Sequence, residues 1–471
     1  MRHWLIFIGR SRELGRLRAL FDASVPKLTC VSGLRGSGKS ALVRRAAAGF
    51  PSVALTFAPE PDPGLRAAFA DAVNHAGQRL YNWDDIVSRD DAWSDLFEAI
   101  IHLAAASTAP FIVILDDAGR LAQARSRFVA PLETAAHHAA ERGVRVHFVL
   151  VGPEAELPVF SDDARGTLAT LRLDPLPLRA AARWLPGHRP HEQVRAYGVF
   201  GGLPRVLSML DASVTVGTNV RRLLLADSGA LTDAPFSWLE REVQTPSRYV
   251  AILRTLAMGE ANWNTVHQGV ADLTRSGQVA PYLNRLVELG MVEMRRSLDA
   301  GPRSRSTRYS ITDPFLAFWF RFVLPWRLEE IKEGAGPYYT RVVRPGINHH
   351  MNCMLPRIGR QHMQFDARES IGSAPRENGS LWGPDYDIPM AGILNSGAAF
   401  YGTTQWSDIE TDTAALDHLD GQVRATRYGF GRERRLRIIV TGRPASASLR
   451  RGVARRHDAK LIDATALLGS E

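Results

Sequence analysis

The residues best placed to do chemistry lie at Gly33-Leu34-Arg35-Gly36-Ser37-Gly38-Lys39-Ser40. Their spacing fits G-x-x-x-x-G-K-[ST], the pattern of a loop that holds phosphate. Glycines at 33, 36 and 38 let backbone N–H groups close around phosphate oxygens, and a helix beginning after them adds the positive end of its dipole. Lys39 has the length and charge to reach the outer phosphates of a nucleoside triphosphate. The Ser40 hydroxyl is a ligand for Mg2+. The contacting set is therefore Gly33, Arg35, Gly36, Ser37, Gly38, Lys39, Ser40 and Ala41, and the cofactors it implies are ATP and Mg2+. A pair of acids completes the chemistry. Phe111-Ile-Val-Ile-Leu-Asp-Asp117 places Asp116 at the carboxyl end of an apolar strand, where it gives the metal a second protein contact. Asp117 takes the place of the carboxylate that activates water. It is shorter than the Glu found there in many phosphate-loop enzymes, which predicts slow hydrolysis.

These residues need rigid elements behind them. Lys27–Ser32 is short, apolar and β-branched and reads as a buried strand; residues 41–48 read as a helix. Further strands are expected at 52–57, 111–117 and 145–151, with helices near 64–80, 92–106 and 124–141. An opening helix carries Leu14, Leu17, Leu20 and Phe21 on one face. Strands that alternate with helices and are apolar throughout predict a parallel sheet covered on both faces.

A length of 471 residues predicts about three domains, and a composition with 45% hydrophobic and 23% charged residues lets each bury a core. Two cysteines, Cys30 and Cys353, cannot build a disulfide framework, which points to a reducing cytoplasm. The apolar run Trp4–Ile8 is too short for a signal peptide, and no segment is long and apolar enough to span a membrane. The net charge is +9, and residues 421–471 hold twelve Lys and Arg against four Asp and Glu. That concentration points to an acidic partner, nucleic acid foremost, at the C-terminal end. No internal repeat, metal-ligand cluster or Ser/His/Asp set stands out.

Gly9-Arg10…Glu13-Leu14, the phosphate loop, the Asp116 strand, Leu173-Asp-Pro-Leu-Pro-Leu178 and Gly201-Gly-Leu-Pro-Arg-Val-Leu207 follow one another in a recognisable order. So do Tyr249-Val-Ala-Ile-Leu, Tyr282-Leu-Asn-Arg-Leu and Arg308-Tyr-Ser-Ile-Thr-Asp-Pro-Phe-Leu-Ala-Phe-Trp-Phe-Arg-Phe322. Over about residues 8–330 the chain resembles the archaeal-type ATPase family, a branch of P-loop ATPases near the AAA+ and STAND groups. The resemblance implies that Arg10 belongs to the nucleotide site. It also implies that Gly202, Leu203 and Pro204 lie in a helical lid that approaches the nucleotide. The family carries a Ser, Thr or Asn after its fourth core strand, where this chain has Gly152-Pro153. That departure again argues against fast hydrolysis.

Residues 246–312 read as a winged helix, with the third helix over 279–289 and wing strands at 291–294 and 307–311. Arg295, Arg296, Arg303, Arg305 and Arg308 would make the wing basic and suited to DNA phosphates. The alternative is a regulatory module packed on the rest of the protein. Residues 340–471 resemble the restriction-endonuclease-like domain that follows the winged helix in many members of the family. Asp387 matches its strand acid, whereas Thr403 stands where Glu is expected and Gln405 where Lys is expected. A helix aligned over 347–363 offers no carboxylate. One carboxylate cannot hold a catalytic metal, so cleavage is predicted to be absent. Arg450, Arg451, Arg455 and Arg456, on a basic helix over 445–456, remain suited to a nucleic-acid backbone.

The sequence thus predicts an α/β protein. A P-loop parallel-sheet ATPase core spans residues 1–170, a helical lid 171–235, a winged-helix domain 236–330 and a degenerate nuclease-like domain 340–471. The expected function is an ATP-binding switch, a slow ATPase whose nucleotide state controls DNA binding. A homo-oligomer or an unidentified protein partner is the alternative output, a nucleotide-gated scaffold without nucleic acid.

Overall fold

The computed structural model describes residues 8–25, 27–161, 168–243, 245–270, 273, 275–301, 306–329, 333–407, 409–443 and 445–469. The chain divides into two compact units, one ending at Asp174 and one beginning at Pro175.

The first unit holds α1 (Ser11–Phe21), β1 (Lys27–Gly33), α2 (Lys39–Ala47), β2 (Ser52–Thr56), α3 (Asp62–Tyr81), α4 (Trp93–Ala105), β3 (Phe111–Asp116), α5 (Gly119–Gln123), α6 (Val129–Glu141), β4 (Val146–Val151) and β5 (Leu168–Leu173). Its five strands lie in the order β2-β3-β4-β1-β5 and pair in parallel throughout. The continuous apolar runs are explained by the period of two. Ile112, Ile114, Val149 and Val151 turn to one face and pack with Leu17, Phe21, Leu42 and Val43 of α1 and α2. Val113, Leu115, Phe148 and Leu150 turn to the other and pack with Phe69, Val73, Phe97, Ile100 and Leu132 of α3, α4 and α6. Two details differ from the sequence expectation. The helix expected from residue 124 starts at Val129, because Arg125 adopts a left-handed φ of 53° and breaks the chain's course after α5. The edge strand β5 is new, and it pairs with β1 along Leu168–Leu173.

The second unit opens with α7 (Leu178–Ala182), α8 (Pro190–Phe200), α9 (Pro204–Leu207), α10 (Val216–Val220) and α11 (Ala234–Glu242). Next come α12 (Pro246–Ala257), β6 (Ala261–Asn262), α13 (Trp263–Gln268), α14 (Ala280–Glu288), β7 (Val292–Arg296) and β8 (Thr307–Ile311). The three strands form a small antiparallel sheet in the order β6-β8-β7. Short helices α15 (Pro314–Phe318), α16 (Leu324–Leu328) and α17 (Ala335–Tyr338) lead to the long α18 (Arg344–Ile371). Then β9 (Pro375–Trp382), β10 (Asp387–Leu394), β11 (Ala399–Gln405), α19 (Ala414–Ala425), β12 (Arg435–Thr441), α20 (Ala447–Ala454), β13 (Ala459–Ile462) and α21 (Ala464–Leu468) close the chain. The sheet order is β13-β12-β11-β10-β9. β9, β10 and β11 form an antiparallel meander, and β12 and β13 run parallel to β11.

The long α18 ties the second unit together. Its buried His350 meets the Gly198 carbonyl of α8 through Nε2 at 2.7 Å, and its Gln361 Oε1 accepts the Leu178 N–H at 3.0 Å. Arg179 of α7 reaches Asp366 and Glu369 of α18, each at 2.7 Å. A second joint lies between Gly201-Gly202 and Asp313. Gly201 has φ +64°, and a Cβ there would stand 2.2 Å from Asp313 Oδ1; a Cβ on Gly202 would stand 2.1 Å from the Leu176 carbonyl oxygen. Only glycine fits at either place.

Candidate nucleotide-binding site

The loop between β1 and α2 is shaped before any ligand arrives. Gly33, Gly36 and Gly38 take φ values of 144°, 85° and 89°, outside the range of other residues. A Cβ on Gly33 would lie 2.4 Å from the Leu173 carbonyl oxygen, so β5 forces glycine there as strictly as the loop does. The Ser37 N–H donates to the Leu34 carbonyl at 3.1 Å and closes a tight turn. Lys39 folds back over the loop, its Nζ donating to the carbonyls of Gly33 at 2.9 Å and Leu34 at 3.0 Å. Ser37 is fully buried beneath the loop, Arg35 sits half-buried at its turn, and Ala41 lies in the first turn of α2.

The sheet brings Asp116 to the start of α2. The Ser40 hydroxyl donates to Asp116 Oδ1 at 3.0 Å, across 76 residues of sequence. The Asp117 N–H donates to the same oxygen at 3.1 Å, and Asp117 holds a left-handed φ of 53°. A non-glycine residue in this region carries strain of about 1–3 kcal/mol, which functional sites commonly hold. The loop thus has a backbone cradle that a Cβ would fill, a lysine over it, and a hydroxyl and a buried carboxylate side by side. This donor set fits ATP with Mg2+. Gly36 to Ala41 would surround the phosphates, and Ser40 and Asp116 would face the metal. The metal, when bound, neutralises charge on the outer phosphates.

Arg10 has a supporting place. It is buried, and its guanidinium donates to the Ser37 carbonyl at 3.2 Å, to the Asp174 carbonyl, and to Glu13 at 3.0 Å. It clamps the outside of the loop to the end of β5. Sequence reasoning missed Arg44, one turn after Ser40. Its Nη2 lies 3.6 Å from Asp116 Oδ2 and 3.3 Å from Thr56 Oγ1. The i, i+4 spacing from Ser40 was the available signal. Glu156 was missed as well. Its Oε2 lies only 2.2 Å from where a Cβ on Gly119 would stand, so its carboxylate covers the backbone just past Asp117.

Pro204 stands at the start of α9 in the second unit, after the Gly201-Gly202 joint. The arginines expected to meet nucleic acid divide into three groups. Arg303 and Arg305 lie outside the described residues. Arg296, Arg451 and Arg455 are exposed and have no carboxylate partner among the described residues. Arg295, Arg308, Arg450 and Arg456 are each paired with a carboxylate of the same chain. Arg295 is turned inward onto Glu260 and the Ser380 hydroxyl. Arg450 pairs with Asp463 at 3.2 Å, and Arg456 pairs with Asp420 and Asp458. The pairing raises the Arg456 pKa above its ordinary value, through the hydrogen bonds to Asp458 and Asp420. The physical reason is local: each lies within reach of an acid on a neighbouring element. Among the described residues no group of three or more His, Cys, Asp or Glu could hold a metal ion, and no helix is long and apolar enough to cross a membrane.

Comparison with known proteins agrees with this geometry. Residues 6–151 match the AAA ATPase domain model. The chain is similar to an uncharacterised protein of Methanocaldococcus jannaschii, 21% identical over 244 residues, which are 51% of this chain and 54% of that one. It therefore spans about half the length of that curated relative. Its fold is similar to the Walker-type ATPase of Pyrococcus abyssi, with a TM-score of 0.51 and 18% identity, covering 67% of this chain and 96% of that one. The ORC2 protein of Aeropyrum pernix is a more distant likeness, with a TM-score of 0.42 and 18% identity, covering 68% of this chain and 95% of that one. The parallel sheet, the glycine loop, the Ser40–Asp116 contact and the domain match lead to one conclusion: the first unit of this chain is a P-loop ATPase domain of the AAA class.

Proposed function

We propose that the protein is an ATP-binding switch, a slow ATPase whose nucleotide state controls nucleic-acid binding by its second unit. The observation that carries the nucleotide half is the hydrogen bond from Ser40 to Asp116 beside a loop whose three glycines are held in left-handed conformations. Lys39, Ser40 and Asp116 are the residues for ATP and Mg2+, and Asp117 is the carboxylate for the attacking water. The helical order α12-β6-α13-α14-β7-β8 supports reading residues 246–311 as a winged helix. The order α18-β9-β10-β11-α19-β12 supports reading the last sheet as nuclease-like. Arg308 holds both oxygens of Asp387, which supports the absence of a metal-dependent cut there. The exposed Arg296, Arg451 and Arg455 support a nucleic-acid backbone as partner.

The pairing of Arg295 and Arg456 with acids of the same chain favours a second reading, a nucleotide-gated scaffold for a protein partner or another copy of the chain. Salt separates the two. Fluorescence anisotropy on single- and double-stranded oligonucleotides, without nucleotide, with ADP and with a non-hydrolysable ATP analogue, is expected to show binding that changes with nucleotide. It should also weaken steeply between two salt concentrations. Flat curves in every state would overturn the nucleic-acid reading and leave the scaffold.

A further inference from the structure

The β7–β8 hairpin of the second unit is laid against the edge strand β9. The Leu298 N–H donates to the Ser380 carbonyl at 3.0 Å, the Trp382 N–H donates to the Ser297 hydroxyl at 3.0 Å, and the Trp382 indole N–H donates to the Ser306 hydroxyl at 2.7 Å. Leu298 packs on Gly379 and on the core beneath the C-terminal sheet. The Arg308 guanidinium of β8 stands over the Trp382 ring, 4.6 Å from its centre. Its two terminal nitrogens meet the two oxygens of Asp387, each at 3.0 Å.

This two-pronged grip is the geometry in which a guanidinium takes a phosphate as readily as a carboxylate. The pair is open to solvent, with Arg308 27% and Asp387 57% exposed. Behind it, four arginines (295, 308, 357 and 360) share three carboxylates within ion-pair distance: Glu260, Glu293 and Asp387. The crowding shows in the pKa values. Burial first, and then the neighbouring guanidinium groups, push Arg295 down to about 8, and burial with Arg357 pushes Arg360 down to about 10. The surroundings therefore favour an added negative charge at the open end of the cluster. Asp387 stands at the first position of β10. On the β9 side it pairs with Trp382, and the pairing of β10 with β11 runs only from Ile393–Ala399 to Met390–Gly402.

We propose that Arg308 and Trp382 form a binding site for one phosphodiester unit of a nucleic acid, and that Asp387 occupies this site from within as a carboxylate stand-in for the phosphate. The inference rests on the nucleic-acid reading above and deepens it by naming the place. The fork of Arg308 would take the phosphate while the Trp382 ring beneath holds the guanidinium in place. A strand end that has lost the residues for cutting would then act as an internal competitor for binding.

The test is anisotropy with a labelled oligodeoxynucleotide on the full chain, comparing wild type with D387N, R308Q and R308K. D387N keeps the shape and removes the competing charge. It is expected to bind roughly tenfold more tightly than wild type, a change of about 1.4 kcal/mol. R308Q is expected to weaken binding and to lower the slope of log affinity against log salt by about one. R308K keeps the charge without the fork and should fall between R308Q and wild type. Thermal melting and ATP-analogue binding, measured alongside, identify any variant that has merely misfolded. Wild-type binding that neither D387N nor R308Q alters would overturn the site and leave the nucleic-acid reading standing. No binding by any variant in any nucleotide state would overturn both.

Discussion

The N–H of Gly202 donates to Asp313 Oδ2 at 3.0 Å, a contact that spans 111 residues and locks the turn before α9 to the start of α15. The other oxygen of Asp313 accepts the Phe315 N–H at 2.9 Å, so the carboxylate caps α15 while holding the glycine pair. Asp313 is fully buried, and burial pushes its pKa up to about 6. Asp313→Asn would set an amide N–H₂ against one of these two donors, and is expected to cost about 1–3 kcal/mol. The sign of the pH effect is definite. An acid whose folded pKa lies above its unfolded value adds stability as pH falls between the two. The stability difference between wild type and Asp313→Asn should therefore grow as pH drops from about 6 towards the ordinary carboxylate value. Urea melts of both proteins at several pH values measure it.

The first unit should respond to acid in the opposite sense. His147 lies inside β4 with its ring 6.2 Å from that of Phe21, and burial pushes its pKa down to about 4. A buried histidine that stays neutral adds stability above its unfolded value. That stability is lost as pH falls from 6.5 through the folded value. The loss is on the order of 3 kcal/mol. His147→Leu should flatten the acid limb of a melting-temperature profile for this unit; an unchanged limb would assign the sensitivity elsewhere.

Lys39 and Asp116 should separate nucleotide affinity from metal dependence. Lys39→Ala removes a charge-assisted contact to phosphate and is expected to weaken ATP binding about 10- to 100-fold. Asp116→Asn keeps an acceptor for Ser40 but loses the metal-facing charge. ATP should still bind, with little response to added Mg2+. Titration calorimetry with and without Mg2+ distinguishes the two patterns.

Arg44 shares Asp116 with the place where a metal would sit, at 3.6 Å from Oδ2 and 60% exposed. A cation there opposes another cation nearby. Arg44→Ala should lower the Mg2+ concentration for half-maximal ATP binding about threefold, within the range of a solvent-screened ion pair. A higher requirement would instead make Arg44 a phosphate contact.

Much of the nucleotide site could be read directly from the chain, because its rules are local. The glycine spacing sets the loop, and Phe111–Asp117 announces a strand buried on both faces with its acid at the end. Other features depend on tertiary neighbours. β5 is an edge strand whose apolar run is interrupted by Thr170 and Arg172, whereas that of β3 is continuous up to Asp116. β9 begins with Pro, Arg, Glu, Asn and Gly, which by propensity form a loop. It is a strand because β10, largely apolar and buried, provides the ladder on which it forms. The basic wing is the clearest contrast. A row of arginines read as a solvent-facing surface, yet Arg295 and Arg308 found Glu260 and Asp387 on elements separated from them in sequence.

The clamp made by Arg10 has a practical side. Replacing this one side chain, as in Arg10→Ala, would leave every described strand of the first sheet in place. Among the described residues it is Arg10 that holds the Ser37 carbonyl from the start of α1 and fastens it to the end of β5. Such a variant would keep its secondary structure while its nucleotide affinity fell, so an apparently intact preparation could be silent in every ATP assay.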